Sequence, residues 1–163
     1  MDFRKTTVVA LAEQVRRRQV SARELTQAAL ENIERLDPVY NSFCSVHAEA
    51  ALAEADSVDK AIASGADLSL AGIPIGVKDL EDARGFVTTF GSALNVDDPP
   101  AANDSELVRR LRLAGCIILG KTNTPEHGHK GKTDNKPFGI TRNPWNPEYT
   151  PGGSSGGSAA ALA

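Results

Sequence analysis

The sequence is short of aromatic side chains, of cysteine and of long apolar runs, and each shortage closes off a class of protein. Aromatic residues make up 5% of the 163 residues and the net charge is −3, so there is no basic, stacking-rich footprint for nucleic acid. No segment approaches the roughly 18 consecutive apolar residues of a membrane helix. The opening Met1-Asp2-Phe3-Arg4-Lys5 does not lead into an apolar signal core, so a cytoplasmic location is expected. The two cysteines, Cys44 and Cys116, stand far apart, each within an apolar run, which predicts two buried thiols rather than a disulfide framework. What remains, 40% hydrophobic and 24% charged residues, is the composition of an ordinary folded protein about one domain long.

The first third predicts helices. Val8, Leu11 and Val15 recur at helical spacing from Thr7. Ser21-Ala22-Arg23-Glu24 has the form of a capping box opening a second helix, with Leu25, Ala29 and Ile33 inward. Asp37-Pro38 is expected to end it, because the residue before a proline is pushed out of the helical region. A short strand at 43–46 and an alanine-rich helix at 48–63, closed by Gly65, should follow.

Beyond Asp67 the texture becomes strand, loop, helix, strand. Runs at 73–77 and 116–119 flank a helix at 104–114 with Leu107 and Leu111 inward. That order is a βαβ crossover, and α/β architecture with a helical N-terminal portion is expected.

The stretch Thr150-Pro151-Gly152-Gly153-Ser154-Ser155-Gly156-Gly157-Ser158 admits three readings. It has linker composition, yet it runs straight into the helix former Ala159-Ala160-Ala161-Leu162. It could serve as a phosphate loop, but it lacks the Gly-Lys-Ser/Thr ending of a Walker sequence. As a catalytic loop, its glycines would let amides and the Ser154 and Ser155 hydroxyls approach a carbonyl closely, and it would need a base. Lys78, in Gly76-Val77-Lys78-Asp79, is the candidate. On a strand, Ile73, Ile75 and Val77 would face one side and Gly76 and Lys78 the other. On an interior strand the lysine would be desolvated toward its neutral, basic form. From this stretch alone, a surface Lys78-Asp79 pair at a strand end is the competing reading.

Several motifs, GIPIGVKD, TTFGS, LRLAGCIILGKTNTPE, FGITRNPWNP and PGGSSGGSAAALA, occur in order from about Thr7 to Ala163. In this the chain resembles the N-terminal part of the amidase signature family. The resemblance implies a single domain, with residues 1–66 mainly helical and 67–163 α/β. This would form part of a mixed β-sheet core, truncated at the chain's end. It also implies a Ser-cisSer-Lys amide hydrolase with Lys78 as base and Ser154 as the bridging serine after a cis peptide. Ser155, Gly152 and Gly153 would support them. The nucleophilic serine of the family lies past the last residue here, so the chain by itself is expected to be inactive.

No cofactor and no metal are implied, and the partner is a small-molecule amide, with no nucleic acid and no membrane. Oligomeric state stays open. His127 and His129, two apart beside Glu126, could suggest a metal site. The favoured reading is a loop lining the substrate pocket, with Gly128, His129 and Lys130 as lining candidates. Lys121 is expected to pack near the site, Asp79 to hold the local loop, and Trp145 to anchor the segment entering the Gly/Ser loop. The family's tRNA-dependent amidotransferase members typically read NMDEFAMGSSTENS where this chain has NTPEHGHKGKTDN, which favours a stand-alone amidase. The alternatives are a component of such an amidotransferase and a non-catalytic remnant.

Overall fold

The computed structural model describes residues 3–163 and divides the chain into two compact units. One comprises the residues up to Ile33 with His47–Ile75 and Arg109–Leu119, and the other comprises Glu34–Val46, Gly76–Val108 and Gly120–Ala163. Met1 and Asp2 of the opening segment lie outside the described residues. The architecture is mixed α/β. Helices α1 (Val8–Arg16), α2 (Ala22–Tyr40) and α3 (Ala48–Ala63) surround strand β1 (Phe43–Val46) in the chain. Then come β2 (Pro74–Lys78), α4 (Glu106–Leu113), β3 (Ile117–Thr122), the short strands β4 (Asp134–Asn135) and β5 (Gly139–Ile140), and α5 (Gly156–Leu162). No described helix is long and apolar enough to cross a membrane.

In the first unit, helix ends are fixed by side chains. Thr7 Oγ1 accepts from Ala10 N at the start of α1. The capping box of α2 forms as expected: Glu24 N donates to Ser21 Oγ at 3.0 Å, while Ser21 N donates to the Glu24 carboxylate at 2.8 Å. Asp59 of α3 takes two more of the free amides, Ala22 N and Arg23 N, which a helix start otherwise leaves unsatisfied. The inward faces fall where periodicity put them at Leu11, Val15 and Leu25 and depart from it elsewhere. Leu11, Ala12 and Val15 are buried but Val8 is exposed. In α2 the buried set is Ala22, Leu25, Thr26 and Leu30, with Ala29 and Ile33 only half-buried. A helix residue turns the stripe by about 100°, so the choice between adjacent alanine, threonine and leucine is made by the neighbours.

Pro38 does not end α2, which runs to Tyr40. A proline in the last turn forfeits one amide, and the exit is held instead by Asp37. Its carboxylate accepts from Ser42 N, Ser42 Oγ and Phe43 N, and its carbonyl accepts from Asn41 N, with Asn41 at φ 52. In α4 the buried residue is Val108, whereas Leu107 is exposed and Leu111 half-buried.

The three longer strands form one sheet in the order β1-β3-β2. β1 runs antiparallel to β3, with Phe43 opposite Thr122 and Val46 opposite Gly120. Ile117 N donates to Ile73 O, and Asp79 N donates to Thr122 O. The two pairs ascend together, so β2 and β3 are parallel, as the crossover requires. Every residue of β3 is buried, which is the pattern of a central strand covered on both faces.

Candidate active site

Lys78 closes β2, at the end of the three-stranded sheet rather than on an interior strand. Gly76, two residues earlier, does not leave open space beside it. A Cβ there would meet Thr122 Cγ2 at 2.6 Å and Phe43 Cε1 at 2.9 Å, so glycine is what lets β1 and β3 close against this strand. Val77, on the opposite face, is buried. The Lys78 ammonium nitrogen lies 2.7 Å from Ser154 Oγ and 3.0 Å from Ser155 Oγ, donating to both. Burial pushes its pKa below the ordinary lysine value. Loss of hydration disfavours the cation, so this amine reaches its neutral, proton-accepting form at lower pH than a surface lysine.

The serine side of the contact is held from three directions. The Gly153–Ser154 peptide is cis and Gly152 sits at φ +87, a conformation that glycine adopts without a Cβ penalty. Thr124 Oγ1 donates to Ser154 O at 3.0 Å. Thr133 Oγ1 donates to Gly152 O and accepts from Gly156 N, both at 3.0 Å, clamping the loop on either side of the serines. A Cβ on Gly153 would strike Lys132 N, the Gly131 carbonyl carbon and Lys130 O at 2.9–3.0 Å, so the segment 130–132 packs against its backbone. α5 then docks on the end of β3: Gly157 N donates to Asn123 O, and the Ser158 and Thr122 hydroxyls share a hydrogen bond of 2.7 Å.

Lys121 and Asp79 form a buried ion pair that sequence reasoning did not join. Both residues are fully buried, with Lys121 Nζ 3.0 Å from Asp79 Oδ1 and 2.9 Å from Thr88 Oγ1. The Asp79 carboxylate also accepts from Thr89 N at 3.2 Å and from Thr89 Oγ1, so Asp79 does hold its local loop. The available signal was a lysine inside an apolar strand, Cys116 to Leu119 followed by Gly120 and Lys121. A charge buried there requires a counter-ion.

The segment from 126 contributes one close neighbour. A Cβ on Gly128 would lie 3.8 Å from Ser154 Oγ, whereas His129 and Lys130 are exposed. Lys130 is tied to Asp134, as is Lys132 at 2.6 Å. These two ammonium groups, Lys130 first, hold the Asp134 carboxyl below its ordinary value. His127 stacks on Phe90 with ring centroids 6.2 Å apart. Among the described residues no three His, Cys, Asp or Glu side chains cluster as a metal site. Trp145 and Cys44 also depart from expectation. Trp145 is 88% exposed and so anchors nothing among these residues, its backbone turn being held instead by Asn143 Oδ1 accepting from Trp145 N. Cys44 is half-buried, while Cys116 is buried.

A sequence profile of the amidase family matches residues 24–163. The chain is 48% identical over 160 residues to the Mycobacterium tuberculosis protein named as amidase AmiA2, covering 98% of this chain and 33% of that one. It is 49% identical over 159 residues to the A subunit of the Synechococcus glutamyl-tRNA(Gln) amidotransferase, covering 95% and 32% respectively. Against the crystal structure of the peptide amidase from Stenotrophomonas maltophilia, the TM-score is 0.89 at 35% identity, covering 96% of this chain and 34% of that one. The chain spans about a third of the length of these relatives. With the profile match across the lysine, the serines and the strands that join them, the chain belongs to the amidase family.

Proposed function

We propose that residues 1–163 form the N-terminal part of one amidase signature domain and carry the base and the relay serine of an amide hydrolase. The observation that carries this reading is the 2.7 Å contact between Lys78 Nζ and Ser154 Oγ, made by a lysine whose burial favours the neutral amine. In its neutral form Lys78 accepts the Ser154 proton. Ser154 in turn accepts the proton of a nucleophilic serine supplied by the remainder of a relative-length polypeptide, and that serine attacks the amide carbonyl. The tetrahedral adduct collapses to an acyl-enzyme as the amine or ammonia departs with a proton returned through the same relay. Water then repeats the sequence and frees the acid. Ser155 and the glycines at 152 and 153 support the arrangement, Ser155 through its own hydrogen bond to Lys78. Gly128 borders the serine and, with His129 and Lys130, belongs to the wall of the amide pocket.

On this reading the 163-residue chain alone does not turn over amides. In a polypeptide of the relatives' length, Lys78→Ala and Ser154→Ala should each abolish release of ammonia from simple aliphatic and aromatic amides, with the fold retained by circular dichroism. Undiminished turnover in either variant refutes the assignment, and turnover by the full-length protein excludes a non-catalytic remnant.

The similar identities to an amidase and to an amidotransferase component, 48% and 49%, keep a second reading in play despite the divergent segment at 123–135. The discriminating measurement is ammonia release from glutamine compared with simple amides, with and without companion proteins. Activity on glutamine that depends on companions selects the amidotransferase reading.

A further inference from the structure

The Lys78–Ser154 contact joins two elements that touch the same few residues at the end of β3. Asp79, next to Lys78, donates its amide to Thr122 O and turns its carboxylate onto Lys121 Nζ at 3.0 Å. One residue along, Thr122 Oγ1 bonds Ser158 Oγ. Next, Asn123 O accepts from Gly157 N, and Thr124 Oγ1 donates to Ser154 O. Residues 121–124 therefore form a splint, with the lysine strand tied to its start and the serine loop tied to its end. Four of the ties are neutral hydrogen bonds. The fifth is an ion pair with both side chains 1% exposed, braced by Thr88 and Thr89.

We propose that the Asp79–Lys121 pair is the positioning device that seats Lys78 against Ser154, acting through the backbone of residues 78–79 and 121–124 without touching the reacting atoms. The physical case rests on what the other ties leave free. Lys78 has a long side chain at a strand end, and such chains prefer to extend their charge into water. Holding it against two serine hydroxyls requires the backbone at 78–79 to stay in register with the splint. A buried pair satisfied on both partners is costly to displace by even one residue, because a shift leaves two charges uncompensated. Other titratable groups on the surrounding elements are Cys44 on β1, Glu81 beyond β2, and Glu126 and His127 in the turn before Gly128. The Cys44 thiol is pushed up to about 12 by burial and stays neutral throughout.

The proposal rests on Lys78 and Ser154 being the relay but is tested without turnover, so the two can fail separately. The measurement is the pH titration of the Lys78 13Cε resonance in the 163-residue chain. The principal variant is the double substitution Asp79→Asn with Lys121→Met, since replacing both partners of a buried pair by uncharged groups of similar size is often tolerated. Lys121→Arg, which keeps the pair, is the rescue control. Arg112→Met, which breaks the Arg112–Glu54 ion pair in the other unit, is the stability control. The expected result is an upward shift of the Lys78 midpoint toward 10.5, the ordinary lysine value, in the double variant. Lys121→Arg should show little or no shift, and Arg112→Met none even if it melts earlier. In a full-length active enzyme the same double variant should move the rise of kcat/KM to higher pH. A folded double variant in which Lys78 titrates as in the unaltered chain overturns the proposal, as does an equal shift in Arg112→Met. Should the double variant not fold, Asp79→Asn with Lys121→Gln, which again leaves no unpaired charge, is read by the same criterion.

Discussion

Alanine placed in turn at Gly131, Gly152, Gly156 and Gly157 separates the forces that hold the serine loop. At Gly157 a Cβ would meet Asn123 N, and Asn123 O and Ser42 O at 2.5 Å each. All three are backbone atoms of the β3 end and the α2–β1 exit, so none can rotate away. α5 must back off by the better part of an ångström, breaking the Gly157 N–Asn123 O bond of 3.1 Å and lengthening the Ser158–Thr122 bond. Overpacking costs about 1–3 kcal/mol and each lost hydrogen bond about 1 kcal/mol, which together give about 2–5 kcal/mol. At Gly156 the obstruction is Thr133 Oγ1 and, at 2.7 Å, its Cβ; turning the side chain moves the hydroxyl at the loss of its two clamps on the loop but leaves the Cβ in place, so overpacking adds to the lost bonds for about 3–5 kcal/mol. At Gly152 there is nothing within 4 Å but φ is +87, so the cost is the left-handed penalty of about 1–2 kcal/mol. At Gly131 there is neither obstruction nor positive φ, and alanine should be neutral or stabilising by up to about 1 kcal/mol. Urea denaturation followed by circular dichroism gives the order directly. A Gly157→Ala variant within about 1 kcal/mol of the parent, or a Gly131→Ala variant as damaged as Gly157→Ala, would refute the account of how α5 is docked.

Lys121→Met alone leaves the Asp79 carboxylate buried without its counter-ion and should cost about 3–5 kcal/mol in a urea melt, far more than the double variant with Asp79→Asn. Because Lys78 is depressed in the folded state, the folded chain binds fewer protons than the unfolded chain between its folded pKa and 10.5. Stability contributed by this group therefore rises with pH across that window and is absent below it. Lys78→Met should flatten that slope in melts at successive pH values. The buried Cys116 thiol, raised to about 11 chiefly by burial, should react with a disulfide reagent at pH 8 only as fast as the chain unfolds, and a rapid native-state reaction at Cys116 would contradict this.

Periodicity and capping made the N-terminal elements legible, because the information for them is local. The spans of β1 and α3 and the capping box at Ser21 are written within a few residues of themselves. What failed was set by neighbours distant in the chain. Pro38 looked like a terminator because the rule concerns φ and ψ of one residue, whereas Asp37 reaching Ser42 and Phe43 lets the helix run on. The choice of Val108 over Leu107 and Leu111 belongs to what α4 packs against. Lys78 and Ser154 were candidates from their local stretches, and the motif resemblance singled them out over a surface Lys78-Asp79 pair and a linker. Their separation of 76 residues leaves no periodic trace, and only the fold brings them to 2.7 Å.

The buried pair shows where more could have been read. A lysine three residues beyond Ile118 in a run with no other charge has two physical outcomes: it leaves the strand, or it carries a partner inward. The six residues of β3 are all buried, so the first outcome is excluded, and the partner must be acidic and on an adjacent strand in register. Thr122 pairs with Phe43 on one side and accepts from Asp79 N on the other. β1 offers Phe43, Cys44, Ser45 and Val46, none of them acidic, whereas β2 is followed at once by Asp79. The parallel register thus fixes the lysine's partner as soon as the crossover is recognised. That same register sets Lys78 at the strand end, one residue from a carboxylate that cannot move. The position of Lys78 at the strand end is thereby tied to how the buried charge beside it is neutralised.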